Sequence, residues 1–301
     1  MKILAVVVTY NPDFCRLKSV LDALNQQVSH TVLIDNGSSD QRGIVQLVES
    51  NKKITCMPLS ENQGLGTALN LGISQARRLQ ADYVLLMDQD SVFMDNAVLR
   101  LSSRFGSGLD NTQRIAAIGP RFVDAQKGVA SEHVKFELTK IGRIPCRENQ
   151  PYVSTDFLIT SGSLIPLRVL DDVGPMDETL FIDHVDTEWC LRARSKGYVL
   201  LGDCEALMEH DLGEYRKRIW FFRWREVPVH KAFRYYYIFR NSFLLYRRKY
   251  IPWSWIRIDL IRLIQIFGFT LLFGPDRLAK IAMMFRGIRD AFLGKTGKFG
   301  S

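Results

Sequence analysis

Histidine and cysteine are scarce in this chain of 301 residues, and neither is spaced as it is in metal-binding or disulfide-rich domains. The five histidines are scattered, which argues against a histidine-based metal cluster. The five cysteines are odd in number and include no CxxC pair, so the sequence predicts a reducing compartment and no disulfide framework. The first residues lack a basic stretch followed by a small-residue cleavage site, so we expect no signal peptide.

Long apolar runs are also missing. The longest stretch without a charged side chain in residues 213–301 covers residues 263–275, which is 13 residues and includes two glycines. A transmembrane helix needs about 20 apolar residues, so this stretch is too short to span a bilayer. The hydrophobic fraction of 47% is that of an ordinary globular protein. Neither a Walker phosphate loop nor a complete dinucleotide-binding glycine motif is present.

Charge divides the chain into two parts, which we expect to be residues 1–212 and residues 213–301. The first has 21 Lys+Arg against 27 Asp+Glu, a net charge of −6, and the second has 19 against 5, a net charge of +14. Basic and aromatic residues alternate in the second part at helical spacing, which is typical of segments that lie on an anionic membrane. The alternative is a basic helical bundle that packs on the first part or on a second copy of the chain. We expect no nucleic-acid partner, because no nucleic-acid-binding motif accompanies the charge.

Four apolar segments of strand length lie in the first 90 residues, and patterns of helical spacing separate them. The clearest of these patterns is Leu17, Val20, Leu21 and Leu24, which follows the first apolar segment. Strands that alternate with helical crossovers predict an α/β fold with a doubly wound, mostly parallel sheet.

A polar cluster follows each apolar segment, and the four clusters occupy residues 9–11, 35–38, 62–66 and 88–91. Sheets of this kind bind ligands beyond the carboxyl ends of their strands, so we expect a single site that collects the four clusters. Asp88 and Asp90 are spaced i, i+2, which places both carboxylates on one side of an extended chain. Two such carboxylates can face one hard cation whose remaining positions are open to phosphate oxygens.

Several longer motifs resemble those of one enzyme family, and they occur in the same order over almost the whole chain. They are Val-Thr-Tyr-Asn-Pro at 8–12, Ile-Asp-Asn-Gly-Ser at 34–38, Glu-Asn-Gln-Gly-Leu-Gly-Thr-Ala-Leu-Asn at 61–70, Met-Asp-Gln-Asp-Ser at 87–91, Thr-Ser-Gly-Ser at 160–163, Phe-Ile-Asp-His-Val-Asp-Thr-Glu-Trp-Cys-Leu-Arg at 181–192, Glu-His-Asp-Leu-Gly at 209–213, Tyr-Ile-Phe-Arg-Asn at 237–241 and Phe-Arg-Gly-Ile-Arg-Asp-Ala at 285–291. The chain resembles the inverting family 2 glycosyltransferases of GT-A fold, and within them the bacterial L-rhamnosyltransferases.

This resemblance implies a nucleotide-sugar donor site. Its donor-binding residues would be Thr9, Tyr10, Asn11, Asp35, Asn62, Gly64, Asp88 and Gln89. Asp88 and Asp90 would be the family's Asp-x-Asp pair and would bind Mg²⁺ or Mn²⁺, which bridges the donor diphosphate. His210 matches a histidine that related transferases place near the metal or the donor phosphates.

The resemblance also places the catalytic base in residues 181–192. An inverting transfer needs a carboxylate that accepts the proton of the attacking hydroxyl, and Asp186 matches the family's base. Asp183 is the second candidate. Val185 stands where the family usually has a glutamate, so Asp183 or Glu188 could take over part of that glutamate's work. The alternative for Asp183 and Glu188 is a helix N-cap or a first-turn carboxylate. Ser161, Gly162 and Trp189 are the expected acceptor-site residues.

The expected activity is transfer of L-rhamnose from dTDP-β-L-rhamnose to a polyprenyl-diphosphate-linked glycan in O-antigen or capsule assembly. We expect the enzyme in the cytoplasm, peripheral to the inner face of the cell membrane, with a homo-oligomer as a possibility. One alternative is a glycosyltransferase that uses a UDP-hexose or a UDP-N-acetylhexosamine. An alternative of another class is an inactive glycan- or lipid-binding partner in an assembly complex.

Overall fold

The computed structural model describes residues 1–105, 113–124, 128–137, 139–210, 216–221, 223–228 and 230–300. Of Asp124, His210 and the segments 216–221 and 223–228, the backbone alone is described. Within these ranges, no helix is both long enough and apolar enough to cross a membrane.

Strands and helices alternate through the first half of the chain, as the sequence predicts. The strands are β1 (Ile3–Thr9), β2 (His30–Asp35), β3 (Ile54–Pro58), β4 (Tyr83–Asp88), β5 (Ser91–Phe93), β6 (Ile115–Asp124), β7 (His133–Phe136), β8 (Ile141–Ile144), β9 (Tyr152–Thr155), β10 (Ser163–Pro166), β11 (Val199–His210), β12 (Arg216–Phe221) and β13 (Arg223–Pro228). The helices are α1 (Phe14–Asn25), α2 (Gln41–Val48), α3 (Leu65–Arg78), α4 (Ala97–Phe105), α5 (Leu167–Val173), α6 (Val185–Ser195), α7 (Ala232–Tyr246), α8 (Trp253–Phe273) and α9 (Arg277–Phe292), and Glu178–Leu180 forms a short 3₁₀ helix.

The central sheet has the strand order β3-β2-β1-β4-β10-β6-β11-β5, and β9 pairs with β11 beside this path. The first four strands in this order are parallel to one another, which confirms the predicted α/β fold. Beyond them, β6 and β11 are parallel, whereas β10, β5 and β9 are antiparallel to their neighbours.

Helix α1 shows how the local sequence produces these elements. The side chain of Asp13 accepts a hydrogen bond from the backbone N–H of Arg16 and caps the helix. The four leucines and valines at helical spacing are buried, as expected from their pattern. On α3, a Cβ at Gly72 would lie 2.2 Å from Val6 Cγ1, so glycine permits close packing of this helix on β1.

The chain forms two compact units. The first contains residues 1–135, 141–211 and 297–301, and the second contains residues 136–140 and 212–296. This division differs from the expected one at residue 212 mainly by two short segments. Residues 136–140 belong to the second unit, and residues 297–301 return to the first.

The second unit is helical from Ala232 onward, but it also contains the antiparallel pair β12–β13. The second part was expected to be helical, and for residues 220, 221, 223 and 224, which lie in β12 and β13, that expectation is wrong. Aromatic and β-branched residues favour strands, and here the pairing of two neighbouring segments decides the structure. Helices α7 and α9 approach closely at Gly287, where an added Cβ would lie 2.4 Å from the carbonyl oxygen of Tyr236. Glycine at this position permits the contact.

Cys146 and Cys204 are joined by a disulfide bond, which contradicts the expectation of no disulfide. The two residues are 58 positions apart in the sequence, and the fold brings their Cα atoms to 5.5 Å. No local cysteine pattern could indicate this pairing. Cys15, Cys56 and Cys190 are free thiols.

Candidate active site

Three predicted donor-site residues lie side by side at the carboxyl ends of neighbouring strands. Thr9 is paired with Asp35 across β1 and β2, and Val8 is paired with Asp88 across β1 and β4. The predicted convergence of these strand ends is therefore present in the structure.

Gln89 joins the ends of β1 and β4. Its Oε1 atom accepts hydrogen bonds from Thr9 Oγ1 at 2.8 Å and from the backbone N–H of Tyr10 at 2.7 Å. Thr9 is buried, whereas the Tyr10 side chain is about half exposed at 48%. The Tyr10 ring is therefore available for stacking against a planar ligand such as a nucleotide base.

The turns after β1 and β2 hold each other in place. Asn11, which has a positive φ of 47°, donates its backbone N–H to Ser38 Oγ at 2.7 Å. Ser39 returns a backbone hydrogen bond to Asn11 Oδ1 at 2.9 Å. Asp35 is fully buried and accepts hydrogen bonds from the hydroxyl and the N–H of Ser38. In this structure Asp35 therefore organises the turn, and its contact with a ribose stays a prediction.

The loop before α3 is fixed by amide side chains that the sequence analysis did not all identify. Asn36 accepts a hydrogen bond from the N–H of Gln63 at 2.9 Å, and Asn62 accepts one from the N–H of Gly64 at 3.0 Å. Gly64 has a φ of +91°, and a Cβ there would lie 2.8 Å from the Phe181 ring. Glycine at 64 thus lets this loop approach the segment that precedes α6.

The expected metal pair and Asp186 interact electrostatically as a group of three carboxylates. Burial raises the pKa of Asp88, and the negative charges of Asp90 and Asp186 raise it further, to about 7. Like charges that are gathered and partly removed from water repel one another, and a cation among them relieves that repulsion. Their carboxylate oxygens are the ligands that Mg²⁺ and Mn²⁺ prefer, so this cluster fits a divalent cation.

Arg16 holds the turn that carries Asp90, and the sequence analysis missed it. Its Nε donates to the backbone carbonyl of Asp90 at 2.9 Å, and its Nη1 lies 4.0 Å from Glu209 Oε2 on β11. β11 ends at His210, whose backbone pairs with that of Ser91 next to Asp90. The expected metal role of His210 lies outside what the structure describes, because its side chain is not included.

Asp186 lies in the first turn of α6, among apolar side chains. Burial is the main cause that raises its pKa to about 6, and the charge of Asp183 acts in the same direction. The N–H of Thr187, 2.7 Å from Asp186 Oδ1, lowers the pKa, and so does the backbone N–H of Thr160. Leu158, Met176 and Trp189 line a small cavity together with Asp186. A carboxylate in such a place is more basic than an exposed aspartate but is still ionised at pH 7.

The segment that leads into α6 has an unusual backbone. Phe181, Asp183 and His184 have φ values of 65°, 60° and 64°, in the left-handed region that non-glycine residues rarely occupy. Such conformations cost of order 1–3 kcal/mol each and concentrate at functional sites. His184, not Asp183, occupies the N-cap position of α6, so the N-cap alternative for Asp183 is wrong.

Glu188 and Trp189 have structural contacts that the sequence did not reveal. Glu188 is 1% exposed and accepts two hydrogen bonds from the Arg192 guanidinium, at 2.8 and 2.9 Å. Both carboxylate oxygens of Glu188, in the first turn of α6, are therefore occupied by Arg192, which favours the structural alternative for Glu188. Trp189 is 2% exposed and donates its indole N–H to the carbonyl of Gly174 at 3.1 Å. It lines the wall beside Asp186, and its contact with an acceptor stays a prediction.

Ser161 and Gly162 support the end of β4. Ser161 Oγ accepts the backbone N–H of Asp88 at 3.1 Å, and the N–H of Gly162 donates to the carbonyl of Leu86 at 2.8 Å. Gly162 has a φ of +84°, and a Cβ there would lie 2.7 Å from Pro120. The loop from 160 to 163 thus lies beside both Asp88 and Asp186, and its contact with an acceptor stays a prediction.

Sequence comparison relates the chain to known sugar-transferring enzymes. The model of glycosyl transferase family 2 matches residues 4–170. The chain is 32% identical over 253 residues to the dTDP-rhamnosyl transferase RfbF of Shigella flexneri, with 83% of this chain and 81% of the relative covered. It is 25% identical over 218 residues to poly-β-1,6-N-acetyl-D-glucosamine synthases of Staphylococcus aureus, for which 70% of this chain aligns with 50% of the relative. The chain therefore spans half the length of those synthases.

Solved structures show the same fold at low sequence identity. GalNAc-T7, solved with UDP, GalNAc and Mn²⁺, matches with a TM-score of 0.59 and 13% identity over 88% of this chain and 54% of its own. Residues 1–349 of S. aureus TarS, solved with UDP-GlcNAc, match with a TM-score of 0.54 and 14% identity over 98% of this chain and 93% of theirs. At these identities the likeness establishes the fold, and it confirms the expected GT-A architecture.

Proposed function

Because the chain belongs to glycosyl transferase family 2, we propose that it is an inverting enzyme that transfers L-rhamnose from dTDP-β-L-rhamnose to a polyprenyl-diphosphate-linked glycan. O-antigen or capsule assembly is the process in which such a transfer is used. The observation that carries the proposal of catalysis is that Asp88, at the end of β4, interacts electrostatically with both Asp90 and Asp186, the latter from the first turn of α6. The 32% identity to the Shigella rhamnosyl transferase supports the choice of sugar.

In the proposed donor complex, the base and ribose lie over the ends of β1 and β2. The exposed Tyr10 ring stacks on the base, while the interlocked turns around Asn11 and Asp35 define the floor. Asp88 and Asp90 hold Mg²⁺ or Mn²⁺. When bound, the cation stabilises the negative charge that develops on the departing nucleoside diphosphate.

Asp186 is the proposed general base. Its pKa of about 6 makes it a stronger base than an ordinary aspartate, and it remains deprotonated at neutral pH. Attack by the acceptor hydroxyl then delivers the hydroxyl proton to this carboxylate while the diphosphate leaves from the opposite face. Val185, where the family usually has a glutamate, is 1% exposed, so its side chain belongs to the core. Asp183 is the remaining candidate for a second acidic role.

The proposal is tested by incubating the purified full-length chain with a panel of nucleotide sugars and Mg²⁺ or Mn²⁺, and measuring the nucleoside diphosphate released. We expect release from dTDP-β-L-rhamnose that stops with EDTA and in Asp88→Asn. The matched control is Asp22→Asn, an exposed carboxylate on α1 that pairs with Lys18 in the same helix. Release from no donor would contradict the assignment as an enzyme and would favour the inactive binding partner.

A UDP-sugar is the second candidate donor. The 25% identity to the S. aureus poly-N-acetylglucosamine synthases favours it, although half of their length has no counterpart here. Turnover of a UDP-hexose or UDP-N-acetylhexosamine, with none of dTDP-rhamnose, would establish this alternative and reject the rhamnosyl proposal.

We also propose that the second unit binds the anionic inner face of the cell membrane from the cytoplasmic side, where the lipid-linked acceptor would be reached. Within the described ranges, α8 and α9 expose large apolar side chains, including Leu271 (45%), Leu272 (66%) and Leu278 (81%). These residues lie close in sequence to the exposed cations Arg277 and Arg286. Apolar side chains surrounded by cations are suited to insertion among anionic headgroups.

Liposome sedimentation tests this proposal. We expect binding to vesicles that contain anionic lipid, partial release by high salt, and weaker binding of Leu272→Asp and Leu278→Asp. The control is Leu99→Asp, which removes an equally exposed leucine (66%) from the first unit. Binding that is indifferent to anionic lipid, or a stable homo-oligomer that loses its contacts in the α8 and α9 variants, would favour a subunit interface instead.

A further inference from the structure

A second group of metal-ligating side chains lies away from the strand ends that carry the carboxylates. His133, Cys146 and Cys204 each offer one ligand atom, and the three atoms lie within 4.8 Å of one another. In this structure the two sulfurs are joined as a disulfide. None of the three residues belongs to the proposed donor, acceptor or catalytic set.

The position of Cys204 is determined by a buried carboxylate. Asp203 is fully buried, and its carboxylate accepts the N–H groups of Glu205 and Ala206 at 2.8 and 2.6 Å as well as Arg104 Nε at 2.8 Å. These hydrogen bonds form a tight turn around Asp203, at the point where β11 shifts its register against β6. The N–H of Cys204 itself donates to the carbonyl of Pro151 at 2.9 Å, which ties the turn to the segment that also carries Cys146.

His133 is oriented by the same turn. Its side chain is buried (6% exposed), and Nε2 lies 3.1 Å from the backbone carbonyl of Asp203. A carbonyl only accepts hydrogen bonds, so Nε2 carries the proton and Nδ1 keeps its lone pair.

Metal-binding histidines have this arrangement, with one ring nitrogen held by a carbonyl and the other available as a ligand. Gly202 makes room for the ring, because a Cβ there would lie 2.2 Å from Nδ1. The site therefore has three preorganised components. They are the turn around the buried Asp203 carboxylate, the oriented imidazole of His133 and the two cysteine sulfurs.

We propose that His133, Cys146 and Cys204 form a site for Zn²⁺ or a similar thiophilic cation in the reduced protein, and that the disulfide is its oxidised, metal-free form. A small dithiol supplies two electrons and two protons to the disulfide, which yields two thiols and the oxidised dithiol. The cation then binds two thiolates and His133 Nδ1, and two protons are released. A water molecule completes a tetrahedral site.

The two cation sites of the chain would then differ in ligand chemistry. Carboxylate oxygens suit Mg²⁺ and Mn²⁺, whereas thiolates and imidazole suit Zn²⁺. Both states of the sulfur site connect the same two segments, around Cys146 and around the turn after Gly202. Oxidation would therefore exchange one cross-link for another and would expel the metal.

Cobalt titration of the full-length chain tests the site, because Co²⁺ bound to thiolates absorbs visible and near-ultraviolet light characteristically. We expect about one equivalent to bind to the chain reduced with a phosphine, and Zn²⁺ to displace it. The disulfide form should bind none at this site. In denaturant, thiol titration should find five reactive thiols in the reduced chain and three in the oxidised chain.

Variants assign the ligands. Cys146→Ser and His133→Gln should each lower cobalt affinity by at least tenfold, whereas Cys15→Ser, which removes an exposed thiol, should bind as the wild type does. His133→Gln keeps both thiols and so remains informative if Cys146→Ser does not fold. A reduced wild-type chain that shows no thiolate–cobalt absorption, or unchanged binding in His133→Gln, would overturn the proposal.

Discussion

The half-buried aspartates at the strand ends of the first unit and the buried aspartates in the interior of the second unit differ in how their charges are balanced. At the strand ends, Asp88 faces the like charges of Asp90 and Asp186, and its pKa is raised to about 7 by burial and by those charges. In the second unit, Asp290 lies 3.0 Å from Tyr236 Oη and 2.8 Å from Arg289, and these partners lower its pKa despite burial. Asp259 is likewise paired with Tyr246 and Arg262.

The difference in charge pairing distinguishes aspartates that stabilise the fold from aspartates that are available to bind a ligand. A buried carboxylate with a donor or a cation beside it favours the folded state, whereas carboxylates that face one another oppose it. The neighbouring carboxylates at the strand ends favour the folded state only when a cation is bound. The same contrast occurs within helix α6, where Glu188 is paired with Arg192 and Asp186 lies in a largely apolar cavity.

The largest expected effect comes from Asp186→Asn. Loss of the general base should lower kcat by about two to four orders of magnitude while donor affinity changes only a few-fold. Steady-state kinetics with dTDP-β-L-rhamnose, together with donor binding by calorimetry, measure both quantities. If Asp183→Asn is inactive and Asp186→Asn turns over normally, Asp183 is the base and the assignment is wrong.

The next effect concerns the stability of the metal-free protein. The folded pKa of Asp88 is raised to about 7, so this group lowers the stability of the fold progressively as the pH rises from the ordinary aspartate pKa, and the full penalty is present above about pH 7. In EDTA at pH 8, Asp88→Asn should therefore increase the free energy of unfolding, by on the order of 1–3 kcal/mol. Thermal unfolding should also show that Mn²⁺ raises the Tm of the wild type and not that of the variant. A lower Tm for Asp88→Asn in EDTA would show that the carboxylates do not repel one another as described.

Local patterns were enough to predict the four parallel strands and helix α1, and the family resemblance named the candidate site residues, whose roles stay predictions. Strand ends are marked by an apolar run that stops at polar residues, and Asp88, Asp90 and Asp186 all occur in short motifs. Four features of the structure depend on tertiary contacts that the sequence did not reveal. The Cys146–Cys204 bond joins residues 58 positions apart, and the β12–β13 pair depends on contacts between two segments.

The two remaining cases are side chains whose partners determine their role. Glu188 has the right type and position for a catalytic carboxylate, but Arg192, one helical turn later, neutralises it. Arg16 lies in an ordinary amphipathic helix, and only the fold brings its guanidinium to the carbonyl of Asp90. Sequence reasoning can identify chemical groups, whereas the pairing that makes a group structural or reactive depends on distant neighbours.

The pH dependence of turnover tests whether Asp186 acts as the general base. A base acts when deprotonated, so a raised pKa moves the acid limb of kcat/KM upward, from the usual range of an aspartate to about pH 6. Below this limb we expect about a tenfold loss of rate per pH unit. A cation held by Asp88 and Asp90 favours the ionised carboxylate, so more Mn²⁺ should shift the limb toward lower pH. A rate that stays constant down to pH 4.5 would show that Asp186 does not titrate during catalysis.

The smallest expected effect is on a paired aspartate of the second unit. Asp290→Asn removes a charge that accepts from Tyr236 and Arg289, so we expect a loss of about 1–2 kcal/mol in the free energy of unfolding at pH 7. The folded pKa of Asp290 is lowered, so its stabilisation is present above the unfolded pKa and is lost as the pH falls through the folded one. The wild type and the variant should therefore converge in Tm at acidic pH. Asp276→Asn is the matched control, because this exposed residue precedes the same helix, makes no side-chain cap and has a left-handed backbone that asparagine accepts. A stability gain for Asp290→Asn, of the kind expected for Asp88→Asn, would remove the distinction between charges paired for the fold and charges kept for a cation.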